Sequence, residues 1–318
     1  MGQDPVSSID ETLNRSNDFF IINTFGFGNQ HDAELMRNIA RRCGGNFYFV
    51  DDIIRIQDFF IDAISLLFSM IMKNIEILVN VCNEKTLPEL EIIKTYGEMW
   101  RTRHKNNGRT IWSHFFSNGM TKDYICELNI SKMPKGLSAN EKNRLIMEIT
   151  MIGLTISGKK VTKKARLMIF FAEKNEEMLK HEVNSEVIGN YLRVFGAEKL
   201  EQAKNYSDKK KFDLAQKMLN ETMKKINECQ WKDHPFLVVL KDNVEKALQF
   251  CKEKAYNNEK KAYVAIFSQN HMFQQSDPSG SSQVEDYDNV YSTNVQEYVS
   301  SKLGSTTCSS KKSSKKRR

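Results

Sequence analysis

The sequence has no uncharged apolar run of the ~20 residues that a membrane-spanning helix requires. Its longest apolar stretch, Ile53 to Met72, is broken by Arg55, Gln57, Asp58 and Asp62 and reads as an amphipathic buried helix. A basic segment followed by an apolar core is also missing from the N-terminus, so no secretory signal is legible and the expected location is cytoplasm or nucleus. Cysteine is sparse and scattered. Cys43, Cys82, Cys126, Cys229, Cys251 and Cys308 form no Cys-x-x-Cys pair and have no histidine at zinc-finger spacing, so most of them read as buried free thiols. A dinucleotide fingerprint is incomplete. Gly26 and Gly28 follow an apolar run, but the third glycine is missing, with His31 and Asp32 beyond, and a structural turn is the reading that remains. No nucleophile and base can be paired from the six cysteines and six histidines. The chain therefore reads as non-enzymatic, with no catalytic residue, no cofactor and no small-molecule substrate.

What is present suffices for folded cores: 318 residues, 40% hydrophobic and 10% aromatic, enough for two or three domains. Phe19 to Val50 is the most informative stretch. Phe19 to Phe25 is apolar and β-branched, as in a strand buried on both faces, and Gly26 and Gly28 end it. Asp32 can cap a helix carrying Ala33, Met36, Ile39 and Ala40 at helical spacing, and Gly44-Gly45 stops it before a second strand, Asn46 to Val50. Such a βαβ unit requires a parallel sheet and a right-handed crossover. Asp51 to Met72 comes next as a helix, with Ile53, Ile56, Phe59, Phe60, Ala63, Ile64 and Leu67 expected on its inner face.

This order closely resembles the C-terminal half of a von Willebrand factor type A (VWA) domain, in the intracellular branch found in ciliates and plants. Gly2-Gln3-Asp4 is similar to the residues just after the Thr-Asp-Gly end of the family's fourth strand. The family binds a divalent metal through an Asp-x-Ser-x-Ser loop together with a Thr and an Asp from later loops. Ser7-Ser8 is not such a loop, and Met1 stands where the Asp of the fourth-strand turn belongs. The resemblance thus implies that the family's Mg²⁺ site is absent from this chain. It also implies half a sheet whose first strand has a bare edge, an aggregation hazard unless a second copy or a partner strand covers it, or unless the native protein is longer.

From Lys73 the pattern shifts towards a period of two. Strands are expected at Ile75 to Val81, at Leu90 to Ile93 after Pro88, and at Thr110 to Phe116, Asp123 to Ile130, Arg144 to Ile156 and Ala165 to Phe171. Asn107-Gly108, Asn118-Gly119, Pro134-Lys135-Gly136 and Ser157-Gly158 separate them, and a β-sandwich is the architecture this suggests. Lys159, Lys160, Lys163, Lys164 and Arg166 form a candidate basic contact patch in a hairpin. The net charge of +7 permits nucleic-acid binding, but the aromatic interleaving of a base-stacking surface is missing, which argues against it.

Beyond Asn175 the chain reads as helical. Glu186 to Tyr206 and the stretch from Phe212 to Ile226 are separated by Ser207-Asp208, and Asp233 and Pro235 open a third helix reaching Cys251. Tyr263, Ser268-Gln269-Asn270-His271 and Gln274 are similar to the ending of the family's helical segment, so the resemblance spans nearly all of residues 1 to 275. Neither the RING of plant members nor the Hint domain of some ciliate members is present. His271 lacks ligand partners at chelating spacing and reads as an ordinary polar contact. Residues 276 to 318 are polar and expected to be disordered. They close on Lys311, Lys312, Lys315, Lys316, Arg317 and Arg318, read as a nuclear import signal, a contact for anionic lipid, or a solubilising end.

The expected organisation is a multidomain α/β, β and α chain: a partial VWA (Rossmann-like) parallel sheet at 1–72, a β-sandwich at 73–174, a helical bundle at 175–275 and a disordered basic tail at 276–318. The expected function is a non-enzymatic intracellular scaffold for an unknown protein partner. Two alternatives stand beside it: a substrate-recruiting subunit of a ubiquitin-ligase-type assembly, and an N-terminally truncated fragment of a longer metal-binding VWA protein.

Overall fold

The structure is a computed structural model that describes residues 6–9, 11, 19–28, 30–50, 52–82, 90–102, 108–130, 143–170, 183–276 and 290–303. Gly2-Gln3-Asp4, Asp51, Pro88, Asn107, Pro134-Lys135-Gly136, Cys308 and the basic residues Lys311 to Arg318 lie outside the described residues. The chain divides into two compact units: Met1–Met70 with Ser117–Lys122 and Leu192–Arg318, and Ile71–Phe116 with Asp123–Tyr191.

In the first unit, β1 (Thr24–Phe27) and β2 (Phe47–Val50) pair in parallel, with Thr24 opposite Phe47 and Phe27 opposite Val50. Between them runs α1 (Ala33–Arg42), whose start is capped by Asp32: one carboxylate oxygen accepts from the Glu34 and Leu35 amides, both at 3.0 Å. Its end is a Schellman turn. The Gly45 amide donates to the Ala40 carbonyl at 2.9 Å and the Gly44 amide to the Arg41 carbonyl at 3.3 Å, while Gly44 takes a φ of 70°. Gly45 is required for a second reason, because a Cβ there would lie 2.0 Å from the Ile22 carbonyl oxygen.

The expected strand Phe19–Phe25 forms a ladder only from Thr24, because β2 offers just four residues to pair with. The α2 helix (Ile56–Phe68) is shorter than the expected Asp51–Met72. A 3₁₀ turn, Ile53–Arg55, precedes it, and Met70 already belongs to β3. The helices α3 (Ser185–Asp208), α4 (Phe212–Asn227), α5 (Pro235–Phe250), α6 (Asn258–Phe273) and α7 (Asn294–Leu303) come after the strands in the chain. Side chains alternate along β2. Phe47 and Phe49 pack with Ala33 and Ala40 of α1 and with Ala262 and Ile266 of α6, while Tyr48 and Val50 pack with Phe59 and Ala63 of α2. The short sheet is thus the middle of three layers, which is why every residue of β2 is buried.

Residues 290–303, expected to be part of a disordered tail, include α7, which packs on α2. A capping box starts this helix: the Thr293 amide donates to Gln296 Oε1 at 3.0 Å and the Gln296 amide donates to Thr293 Oγ1 at 3.1 Å.

The second unit holds β3 (Met70–Val81, from Ile71), β4 (Leu90–Thr95), β5 (Trp100–Thr102), β6 (Arg109–Ser117, to Phe116), β7 (Cys126–Ile130), β8 (Asn143–Thr155) and β9 (Lys160–Phe170). Five strands form one sheet in the order β5-β6-β3-β8-β9, and β4 pairs with β7 in a second. Val79 and Val81 of β3, Ile92 of β4, Ile111 of β6, and Ile146 and Met147 of β8 make one apolar core to which both sheets contribute. The turn between β8 and β9 is confined to residues 156–159, with Gly158 at a φ of 85°.

Candidate interaction surfaces

α2 carries its residues in three stripes. Phe59, Ala63 and Leu66 repeat at the i, i+4, i+7 spacing of one helix face and are buried. A second buried stripe is polar: Asp58, Asp62 and Ser65. Asp62 accepts from Tyr48 Oη at 2.7 Å and from Ser276 Oγ at 3.0 Å, so its desolvation is offset by hydrogen bonds. The third stripe, Phe60, Ile64, Leu67 and Phe68, is offset by one residue from the apolar inner one and faces outward; Phe68 is 75% exposed. Ile53 and Ile54 of the preceding turn extend it, Ile54 being 83% exposed. The expected inner face is corrected accordingly. Phe59 and Ala63 point inward, but Ile53, Phe60, Ile64 and Leu67 do not, because apolar residues surround most of the helix and only part of its circumference meets the core.

This outer stripe continues onto the sheet. Phe60 stacks on Phe25 of β1 with ring centroids 4.5 Å apart, and Phe27, at the end of β1, is half exposed. Among the described residues β2 is the only strand paired with β1. Exposed apolar helix and unpaired strand edge are therefore contiguous.

The basic residues singled out in the sequence fall on β9 rather than in a loop. Lys159 is in the turn, and Lys160, Lys163, Lys164 and Arg166 lie within the strand, because pairing with β8 already begins at Leu154 opposite Lys160. Strand alternation separates them: Lys160, Lys164 and Arg166 share one face with Glu148, and Lys163 lies on the other. Lys164 and Arg166 both reach Glu148, at 3.5 and 3.6 Å.

His271 is fully buried in α6, and its Nδ1 lies 2.8 Å from Tyr291 Oη. Burial, reinforced by the Arg193 guanidinium, drives its pKa down to about 3. Arg193 itself donates to the His271 backbone carbonyl and lies over the Phe236 ring. Close by, Lys122 donates to the Phe273 and Gln274 carbonyls at the end of α6, and burial with the Arg193 charge lowers its pKa to about 7. These groups cap and hold the helix end. Nothing in the sequence pattern had marked Lys122 or Arg193, since their partners are backbone carbonyls remote in the chain.

A second polar cluster ties α1 to α3 and α6. Arg37 donates twice to Glu201, at 2.6 and 2.9 Å, and Lys204 lies 3.3 Å from Glu201 and 3.7 Å from Asp208. Burial alone would raise the Glu201 carboxyl; the Arg37 and Lys204 partners instead hold it at about 2. Lys261 of α6 closes the cluster on Asp208 at 3.1 Å. Its geometry is that of an ion-paired structural joint.

An Asp-x-Ser-x-Ser pattern does occur in the sequence, at Asp277-Pro278-Ser279-Gly280-Ser281, outside the described residues; among the described residues no group of three His, Cys, Asp or Glu side chains could hold a metal ion. Cys43, Cys82, Cys126, Cys229 and Cys251 are free thiols; Cys43 and Cys251 are buried, whereas Cys82, Cys126 and Cys229 are only half-buried, so burial is less common among them than expected. Among the described residues no helix is long and apolar enough to cross a membrane.

No protein-family model matches the sequence, and no curated protein matches it. Solved structures do. A von Willebrand factor type A protein from Catenulispora acidiphila is similar over 82% of this chain, with a TM-score of 0.57 at 11% identity, and the human COPII-coat protein Sec24c is similar over 82%, with a TM-score of 0.48 at 10% identity. The chain spans 61% of the length of the first and 33% of the second. The likeness is one of fold: the chain has a VWA-like fold.

Proposed function

We propose that this VWA-like chain is a non-enzymatic, intracellular protein-interaction scaffold whose α/β part is completed by a partner polypeptide. In this reading the two sheets act as a β-sandwich and helices α3 to α6 as a bundle. Capture proceeds without a metal, through burial of apolar surface and extension of the sheet. The observation that carries the reading is the outer stripe of α2, Phe60, Ile64, Leu67 and Phe68, contiguous with an edge of β1 that no strand among the described residues pairs with. Single exposed apolar residues are ordinary on any protein, whereas a contiguous helix stripe beside an open strand edge marks an interface.

The matching partner presents one apolar strand to β1 and an apolar face to α2. A photocrosslinking amino acid placed at Phe60 or Leu67, with Lys217 on the exposed side of α4 as the control, tests this in cells. One discrete adduct is expected from positions 60 and 67, none from 217, and loss of the adduct when Ile64→Asp is added. Equal labelling from all three positions, or no adduct from the stripe, would overturn the proposal.

A further inference from the structure

A second surface, independent of the α2 stripe, is the outer edge of β9. This strand is eleven residues long and closes the five-stranded sheet; among the described residues no strand borders it on the side away from β8. Edge strands that need only protection are kept short, interrupted by proline, or twisted by a bulge. From Lys160 to Leu167 no proline occurs and the register with β8 is regular from Leu154 opposite Lys160 to Met147 opposite Leu167, so the one remaining protective device is charge: Lys160, Lys163, Lys164 and Arg166 repel a second copy of this edge but not a strand of opposite charge. A run of backbone amides and carbonyls at strand spacing is therefore available for pairing.

The side chains along that edge specify a charge. Lys160, Thr162, Lys164 and Arg166 repeat at period two on one face, about 7 Å apart. Glu148 is the carboxylate paired with this stripe among the described residues, shared by Lys164 and Arg166, so three cations face one anion. An added strand would set its alternate side chains about 5 Å from this row, the distance at which opposite charges across a ladder attract. We propose that β9 accepts an extended acidic peptide, with carboxylates at alternate positions, as a sixth strand of the sheet. Affinity comes from main-chain hydrogen bonds and specificity from the Lys160, Lys164 and Arg166 row. The row lacks interleaved aromatics on which bases could stack, which favours peptide over single-stranded nucleic acid.

The test measures fluorescence anisotropy of a labelled decapeptide alternating Thr and Glu, titrated with the full chain at several salt concentrations. Binding is expected, with affinity falling as salt rises, and a Thr-Lys decapeptide should not bind. Lys160→Gln, Lys164→Gln and Arg166→Gln together should weaken it at least tenfold, with the circular-dichroism melt as the check on folding. Charge reversal of the same three residues should transfer binding to the Thr-Lys peptide. N-methylation of alternate peptide amides separates pairing from simple charge attraction: one phase should abolish binding and the other spare it. Failure of the acidic peptide to bind, or indifference to both methylation phases, overturns the proposal. Tighter binding of oligothymidylate of equal charge would reassign the row to nucleic acid. Leu67→Ser on α2 should leave this titration unchanged, so the two surfaces fail separately.

Discussion

The α2 helix and the β9 strand each expose what most elements hide, and they differ in kind. A helix satisfies its own backbone, so what α2 leaves unmet is apolar area: Phe60, Ile64, Leu67 and Phe68 face outward beside the buried Phe59, Ala63 and Leu66. An edge strand satisfies only half of its backbone. Among the described residues β9 accordingly has no neighbour on its outer side, and its hydrogen-bonding groups there are dressed in charge. One surface calls for shape and dehydration, and its binding should persist in salt. The other calls for a strand of opposite charge, and its binding should be salt-sensitive. On the two proposals these elements would select different partners, by means that a salt titration tells apart.

The sharpest break of this comparison is between the two apolar stripes of α2. Phe59→Ala should destabilise the chain by about 3 to 5 kcal/mol in urea melts, because it opens a cavity in the sheet layer. Leu67→Ser, one helix stripe away, should shift the same melt by no more than about 0.5 kcal/mol. Similar costs for both would mean that the outer stripe is already covered, and the α2 interface would be lost as an idea.

Next in size is the pH dependence of the first unit. His271 stays neutral when folded down to about pH 3 but protonates in the unfolded chain near its ordinary value of 6.5. Between those values the unfolded state binds the extra proton, so stability is full above about pH 6.5 and declines as pH falls, by about 1.4 kcal/mol per pH unit for one proton. Lys122 tilts the curve in the same sense at higher pH. Its folded pKa of about 7 lies below the ordinary 10.5, so stability rises as pH goes from 7 to 10.5. Melts across this range should show both slopes, His271→Gln flattening the acid one and Lys122→Met the alkaline one. A flat profile in the parent chain would contradict the burial of both groups.

The smallest effect is expected at β9. Glu148→Gln removes a carboxylate shared by two exposed cations and should change stability by less than about 0.5 kcal/mol. It should nonetheless tighten the acidic decapeptide, since it leaves the cationic row less neutralised. A large loss of stability would show that the edge charges serve the fold rather than a partner.

Much of the α/β part was legible because its signals are local. Asp32 caps within three residues, Gly44 and Gly45 close the helix within five, and a buried four-residue strand reads as a continuous apolar run. Most strands of the second unit and the breaks near Asp208 and Pro235 were legible for the same reason, whereas β5 was not expected and β9 starts at Lys160 rather than at Ala165. α6 was not. Ala262 and Val264 through Met272 are all buried, apolar and polar residues alike, so burial along this helix follows no apolar period that a sequence pattern could show. Its turns are held by Lys122 and Arg193, which lie far away in sequence.

The same contrast governs the two candidate surfaces. The amino-acid order by itself determined that α2 would be rich in apolar residues and that five basic residues would cluster between 159 and 166, since composition and spacing are properties of the chain. Only the tertiary structure decided which apolar stripe of α2 faces the sheet, because two stripes offset by one residue are equivalent until a neighbouring layer chooses between them. It likewise decided that the basic cluster is an edge strand, since an edge is defined by the absence of a neighbour, and pairing between strands is a contact that no single segment encodes.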